Sequence, residues 1–366
     1  MLYMIIIIVK LTSSSIGIYV EIYNNPKEDV RSGRIFCMSE IRIAIIGAGG
    51  MGNHHARELM QRSDVRVVAM CDTSGNAMDR LSETLGASSN EANRFSNIES
   101  LLNTEELDGV VIATPHTEHA FQVRACLTNG LHVLVEKPMA TTAADARDFI
   151  KYAEEAEKIL AVAYQRHGEG KFIKARELLH SGIIGDVRLV HVIIAQDCLS
   201  VFQPGASWRA DPALSGGGHF MDTGSHINDI LLWTTGLEPK CVYATINKEG
   251  TLVDVNTSIS VEFTTGAVGS LSYTSMSPEW REEFTYYGSE GMMLFGATEP
   301  LYVHRKGADI ILPRAPGRGR PPAQNFIDAI LGLAEVQAPP ICGLRVAQLT
   351  EATYKSAQSG LPEEVG

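Results

Sequence analysis

The chain has 366 residues, which at the usual ~100–200 residues per domain points to two domains. With 45% hydrophobic and 20% charged residues, the composition is that of an ordinary water-soluble globular protein. A formal charge of −12 argues against nucleic acid or an anionic membrane as the main partner, and six scattered cysteines without a C-x-x-C pair fit reduced thiols of the cytoplasm.

Residues 1–37 fit poorly with the rest of the chain. Met4–Val9 is apolar but too short to span a bilayer. No basic leader region precedes it and no clear small-residue cleavage site comes after it, so it makes a poor signal peptide. Met38-Ser39-Glu40 stands just before the first strong strand pattern. The expectation is that residues 1–38 are an extension outside the fold, consistent with a misplaced translation start.

Ile43–Asp72 organises the rest. An apolar strand, Ile43-Ala44-Ile45-Ile46, runs into Gly47-Ala48-Gly49-Gly50-Met51-Gly52, then a helical stretch, then Val65–Cys71 ending in Asp72. This is the G-x-G-x-x-G turn of a dinucleotide-binding βαβ unit. Gly47 permits the tight turn, Gly49 lets the backbone approach a pyrophosphate, and Gly52 lets helix and strand pack closely. Gly50 and Met51 open a helix whose free N–H groups and positive dipole end face the phosphates. Asp72 follows Gly52 by 20 residues, about the spacing of the carboxylate that grips the adenosine ribose. That carboxylate repels a 2′-phosphate, and Thr73-Ser74-Gly75-Asn76 offers no cation to welcome one, so NAD is favoured over NADP.

Strand and helix patterns keep alternating. Helices are predicted at Ala77–Gly86, Asn97–Asn103, Thr117–Asn129 and Thr141–Lys158, and buried strands at Asp108–Thr114, Leu131–Glu136 and Ile159–Tyr164. Continuous apolar runs separated by helices are what a parallel sheet covered on both faces requires. A Rossmann-type domain over 39–164 is expected, with a second α/β domain over 165–366. Beyond about residue 185 the β-rich runs Val187–Ala195, Cys241–Asn247, Asn256–Phe263, Ala267–Ser275 and Glu283–Tyr287 succeed one another at short intervals, with a hairpin turn at Thr264-Thr265-Gly266. These predict a mostly antiparallel sheet, with helices near Lys171–His180, Thr223–Thr235, Ala323–Leu333 and Val346–Ser359. Arg314–Arg320 reads as a solvated basic loop.

Three further places carry chemistry. Thr114-Pro115-His116 and Glu136-Lys137-Pro138 both sit at the C-terminal ends of predicted strands, where ligands of open α/β sheets lie. In Gly216–Asp229, Asp222 and His226 are four apart and so share one helix face. An imidazole exchanges a proton near neutrality, and a carboxylate one turn away orients it or holds substrate. The three glycines Gly216-Gly217-Gly218 are expected to let the backbone pass close to a ligand. His54-His55 and His116-x-x-His119 are near in sequence, but zinc needs three or four convergent ligands, and no metal is expected.

Taken together, GAGGMGNHHA, TPHTEHA, EKP, YQRH at 164–167, WRAD at 208–211, GGGHFMDTGSHINDILLW and the C-terminal EATYKSAQSG resemble the Gfo/Idh/MocA family of oxidoreductases over about residues 40–362. The resemblance implies a Rossmann domain followed by an α/β domain whose large open sheet makes homo-oligomer contacts, as a dimer or tetramer. It implies Lys137, Asp222 and His226 as the catalytic group, and Glu136, Gln165, Trp208 and Arg209 beside the cofactor. It also implies a cis Lys137–Pro138 bond. The activity implied is hydride transfer between NAD and a sugar, cyclitol or related polyol. Some members oxidise and restore a sugar carbon within one hydrolase or lyase turnover, and members lacking the lysine or histidine are non-catalytic regulators. Both residues are present here.

Overall fold

The computed structural model describes residues 4–12, 15–23, 40–86, 92–308 and 310–366. Met4–Thr12 (β1) pairs antiparallel with Ser15–Tyr23 (β2) in a two-stranded unit, and Ile41–Gly366 forms a second unit, the body of the protein. Met38 and Ser39, where the fold is expected to begin, lie outside the described residues.

The first layer of the body runs Ile41–Ile46 (β3), Gly50–Leu59 (α1), Val65–Cys71 (β4), Gly75–Leu85 (α2), Asn93–Phe95 (β5), Ile98–Thr104 (α3), Gly109–Ile112 (β6), His119–Thr128 (α4), His132–Val135 (β7), Ala143–Glu155 (α5) and Leu160–Val162 (β8). All six strands are parallel, in the order β5-β4-β3-β6-β7-β8. The central strands are buried along nearly their whole length, as the unbroken apolar runs require of a sheet covered on both faces. The order reverses between β3 and β6. Such a switch point opens a crevice at the C-terminal strand ends, where Gly47 and Thr114 stand.

Gly170–His180 (α6), Val187–Asp197 (β9), Pro212–Ser215 (α7), His219–Thr235 (α8), Pro239–Asn247 (β10), Asn256–Phe263 (β11), Val268–Thr274 (β12), Met276–Gly288 (β13), Gly291–Phe295 (β14), Tyr302–Arg305 (β15), Ile310–Ile311 (β16), Pro322–Ile330 (α9), Pro340–Ser359 (α10) and Glu363–Glu364 (β17) complete the chain. Their nine strands form one sheet in the order β16-β15-β14-β13-β9-β12-β11-β10-β17. Every pairing is antiparallel except β12 with β9. The expected hairpin at Thr264–Gly266 is closed by Phe263 N–H donating to the Ala267 carbonyl at 2.9 Å.

One face of this sheet packs on α6, α8 and α10 through Phe172, Phe220, Ile227, Leu231, Phe284 and Leu349. The chain then returns to the first sheet: Phe326 and Ile327 of α9 join the core around Ile43 and Ile45, and Val346 of α10 joins the one around Val133. Arg314–Arg320 has no regular structure and is mostly exposed, as expected of a loop, but its Gly319 N–H donates to the Gly168 carbonyl at 2.6 Å. Among the described residues, no helix is long and apolar enough to cross a membrane.

Candidate active site

The glycines of the turn differ in how closely the protein surrounds them. Gly47 adopts φ +94°, and a Cβ there would stand 2.6 Å from the Ala113 backbone, where β3 and β6 diverge. A Cβ on Gly52 would lie 2.0 Å from the Gly47 carbonyl oxygen, so this glycine lets α1 pack down on the strand end. Over Gly49 and Gly50, by contrast, nothing stands within 4 Å. The N-terminus of α1 carries no side-chain cap, which leaves its donors free for an anion. Asp72 ends β4 beside this turn, with Oδ2 accepting the Ala48 N–H at 2.7 Å and Oδ1 accepting the Ser74 N–H at 2.8 Å. A backbone pinched where protein meets protein and open where a ligand would lie suits a dinucleotide pyrophosphate.

The ends of β6 and β7 frame the crevice further on. Thr114 donates to Gln122 at 2.6 Å, and after Pro115 the His116 Nδ1 donates to the Ser215 carbonyl at 2.9 Å. Burial holds the His116 imidazole down at about 3, so it stays neutral. His119 contacts the carbonyls of Thr114 and Pro138, joining the two strand ends. The Lys137–Pro138 bond is cis. Glu136 is buried, with Oε1 on His55 Nε2 at 2.7 Å and Oε2 on the N–H of Lys137 at 3.1 Å. Its carboxylate is thus engaged by the protein itself.

Lys137 reaches across to the second half. Its ammonium donates to Asp222 Oδ1 at 2.6 Å and lies 3.3 Å from the Asp222 carbonyl. Arg209 Nε donates to the other carboxylate oxygen at 2.7 Å, and its guanidinium stacks on Trp208 at 4.4 Å. Burial alone would raise the Asp222 carboxyl. The charges of Lys137 and Arg209 outweigh it and hold the group far below the ordinary carboxylate range. Asp222 is therefore a fixed anion that aims two cations. No hydrogen bond joins it to His226 among the described residues, which corrects the expectation that it orients the imidazole.

His226 lies one turn further along α8 and is half-buried, with its Nδ1 fully enclosed. Burial first, then the positive charges of Lys137 and Arg166, push its imidazole well below the usual value, so the ring is neutral and one of its nitrogens carries a lone pair. Beside Asp222 and Arg209 opens a cleft of about 550 Å³ walled by Gln196, Thr223 and Trp280. Gln165 begins the short helical turn after β8 and is half-buried.

Helix α8 begins at His219, four residues before the expected start, because its cap comes from another strand connection. Asp254 accepts the N–H groups of Gly218 and Phe220, both at 2.7 Å, and the Tyr354 hydroxyl at 2.6 Å. The glycines before it make room for these partners, not for a ligand. A Cβ on Gly218 would stand 1.9 Å from the Asp254 carbonyl oxygen, and one on Gly217 would stand 2.2 Å from the Tyr354 hydroxyl. Asp254, Gln196 and His55 carry no local signal in the sequence, since each works through residues distant in the chain.

Among known proteins, residues 41–164 match the family described as oxidoreductase, NAD-binding Rossmann fold, and residues 172–294 match the GFO/IDH/MocA C-terminal domain. The D-glucoside 3-dehydrogenase of Escherichia coli (strain K12) is 27% identical over 354 residues, 89% of this chain and 98% of that protein. The rhizopine catabolism protein MocA of Rhizobium meliloti is 31% identical over 207 residues, 55% of this chain and 59% of its own length. Among solved structures, the WlbA dehydrogenase from Bordetella pertussis in complex with NADH and UDP-GlcNAcA superposes with a TM-score of 0.79 at 25% identity, covering 89% of this chain and 98% of that one.

Proposed function

The chain belongs to the Gfo/Idh/MocA family of NAD-binding oxidoreductases, and from that premise we propose that it is an NAD-dependent dehydrogenase of sugars, cyclitols or related polyols, with Lys137, Asp222 and His226 as its catalytic group. The observation that carries this reading is the 2.6 Å contact between Lys137 Nζ and Asp222, one helical turn from a neutral imidazole. NAD, when bound, supplies the hydride acceptor. The open backbone over Gly49 and the uncapped α1 fit its pyrophosphate, and Asp72 fits its ribose. Thr114, Pro115 and His116, with Glu136, Gln165, Trp208 and Arg209, are assigned to the cofactor side.

In this mechanism His226 Nε2 takes the hydroxyl proton while hydride leaves the same carbon. Lys137 donates to the reacting oxygen and stabilises the negative charge that develops there. Asp222 holds Lys137 and Arg209 in place and balances their charge, so the cleft is not left with two unpaired cations. The relatives named for glucoside, rhizopine and UDP-sugar chemistry support a polyhydroxylated substrate. A screen of sugars, inositols and sugar acids with NAD, followed at 340 nm, tests the proposal. Net NADH with at least one class is expected; none with any class would leave only the cofactor-binding assignment.

Domains at 39–164 and 165–366 and a cytoplasmic setting belong to the same proposal, as does a homo-oligomer, dimer or tetramer, built on the outer face of the large sheet. Leu189 sits opposite both Tyr287 and Val268 in register, so the three form one apolar row. Leu189 and Tyr287 are 40% and 42% exposed, and a contiguous row of this kind supports a protein contact.

A further inference from the structure

On the buried side of the His226 ring lies a group of polar atoms that hydride transfer as described does not use. His226 Nδ1, Tyr164 Oη and Asp229 Oδ1 are all fully buried, and none has a hydrogen-bond partner among the described residues. They are neighbours. The Tyr164 ring meets His226 edge-on at 6.2 Å and lies parallel to His167 at 6.1 Å. Asp229 follows His226 by three positions on α8, hence on the same face. Its second oxygen, Oδ2, contacts His167 Nε2 at 2.8 Å.

The protons of this group can be counted. His167 Nδ1 faces the Gln337 carbonyl at 2.7 Å, which only accepts, so Nδ1 carries a hydrogen. The contact between His167 Nε2 and Asp229 then needs a proton of its own, on one partner or the other. Asp229 Oδ1 is left as an acceptor, and burial keeps the Tyr164 hydroxyl protonated. Unpartnered buried polar groups on neighbouring residues are the kind that an internal water joins. Cys342 also lies within 4.8 Å of His167 and Asp229. A metal would need its thiolate, whereas burial pushes that thiol up to about 12, and both nitrogens of His167 already have protein partners.

We propose that Asp229, anchored by His167, is a positioning residue for His226. Through one water shared with Tyr164, Asp229 Oδ1 accepts from His226 Nδ1–H. That contact fixes the tautomer in which the Nε2 lone pair faces the cleft, and it steadies the imidazolium that forms when Nε2 takes a proton. The inference rests on His226 being the base.

The test uses the full chain with ring-15N-labelled histidine, His226 being assigned by the resonances lost in His226→Gln. In the wild type, long-range proton–nitrogen spectra should show Nδ1 protonated and Nε2 bare. Asp229→Leu removes the acceptor at similar size, and His226 should become a mixture of tautomers. Tyr164→Phe, which deletes a single oxygen, should shift the same equilibrium part of the way and serves where Asp229→Leu fails to fold. With substrate, kcat should fall about 10-fold in either variant, a part of the general-base contribution, while KM changes less than about 3-fold. A wild-type His226 protonated at Nε2, or a tautomer unmoved in the folded variants, overturns the positioning role. Full turnover in His226→Gln would instead remove the base itself, whatever the tautomer.

Discussion

Lys137 Nζ donates to Asp222 Oδ1 at 2.6 Å although the two residues are 85 positions apart, one at the end of a parallel strand and the other in the first turn of α8. This contact ties the end of β7 to α8. Both side chains are only 13% exposed, and the Asp222 carboxylate is shared with Arg209.

Lys137→Ala should therefore separate chemistry from cofactor binding. It removes the donor to the reacting oxygen, and turnover should fall by about 10²–10³-fold, the usual worth of such a donor. Asp222 keeps Arg209 as a partner, so the fold should hold and NAD should bind within about 3-fold of wild type. Steady-state rates beside a fluorescence titration of NAD decide it, and unchanged turnover removes Lys137 from the chemistry.

Two glycines of one turn should fail in opposite ways. Gly52→Ala drives a methyl to 2.0 Å from the Gly47 carbonyl oxygen, and such overpacking costs about 1–3 kcal/mol. The melting temperature without NAD should drop by several degrees. Gly49→Ala meets nothing within 4 Å in the protein, so its melting curve should match the wild type while NAD affinity falls about 10-fold or more. Equal melting temperatures for the two variants would contradict the division of roles.

Asp72 has two duties that substitution can part. Its carboxylate holds the Ala48 and Ser74 N–H groups, and it is assigned the adenosine ribose. Asp72→Asn keeps an oxygen for one of the two N–H groups and loses the charge, so stability should fall only in part while preference for NAD over NADP narrows. Asp72→Ala should lose both, with NAD affinity down about 10-fold, as for one charge-assisted hydrogen bond. Cofactor titrations with NAD and NADP on both variants give the comparison.

How much of the fold and site was legible depended on the range of the interactions. Most of the first sheet could be read because its inner strands are largely apolar and the glycine turn has local chemistry, whereas the short polar edge strand β5 gives no such signal. Strands β14–β16 and β17 could not, being short edge strands whose side chains answer to their neighbours. The start of α10, six residues before the expected Val346, is masked by Pro340, which reads as a breaker yet is tolerated where a helix begins. Within the site, a four-residue spacing puts Asp222 and His226 on one face of α8, while the role proposed for them comes from the family resemblance. His55 with Glu136, 81 residues apart, and Asp254 with Gly218, 36 apart, left no such trace. The triple glycine reads in the sequence as room for a ligand, because its crowding by Asp254 and Tyr354 exists only in three dimensions.

The pair of His55 and Glu136 should also give stability a defined dependence on pH. Burial alone would lower the His55 imidazole, but the hydrogen bonds and charges of Glu136 and Glu58 overcome it and raise the group from 6.5 to about 9. A value raised in the folded state favours the protonated form, so this stabilisation is complete below 6.5 and is lost as pH rises through about 9. The shift corresponds to at most on the order of 3 kcal/mol. Glu136 moves the other way: burial opposes ionisation, but His55 and Lys137 hold the carboxyl below its usual value, so its share is lost only in acid. The urea midpoint of the wild type should be level near pH 6 and should decline between pH 7 and 9.5, a window set by the His55 value. In His55→Gln, the amide still bonds Glu136 without titrating, so the midpoint should start lower and stay flatter. Parallel curves for the two proteins over that window would show that His55 gains no proton on folding.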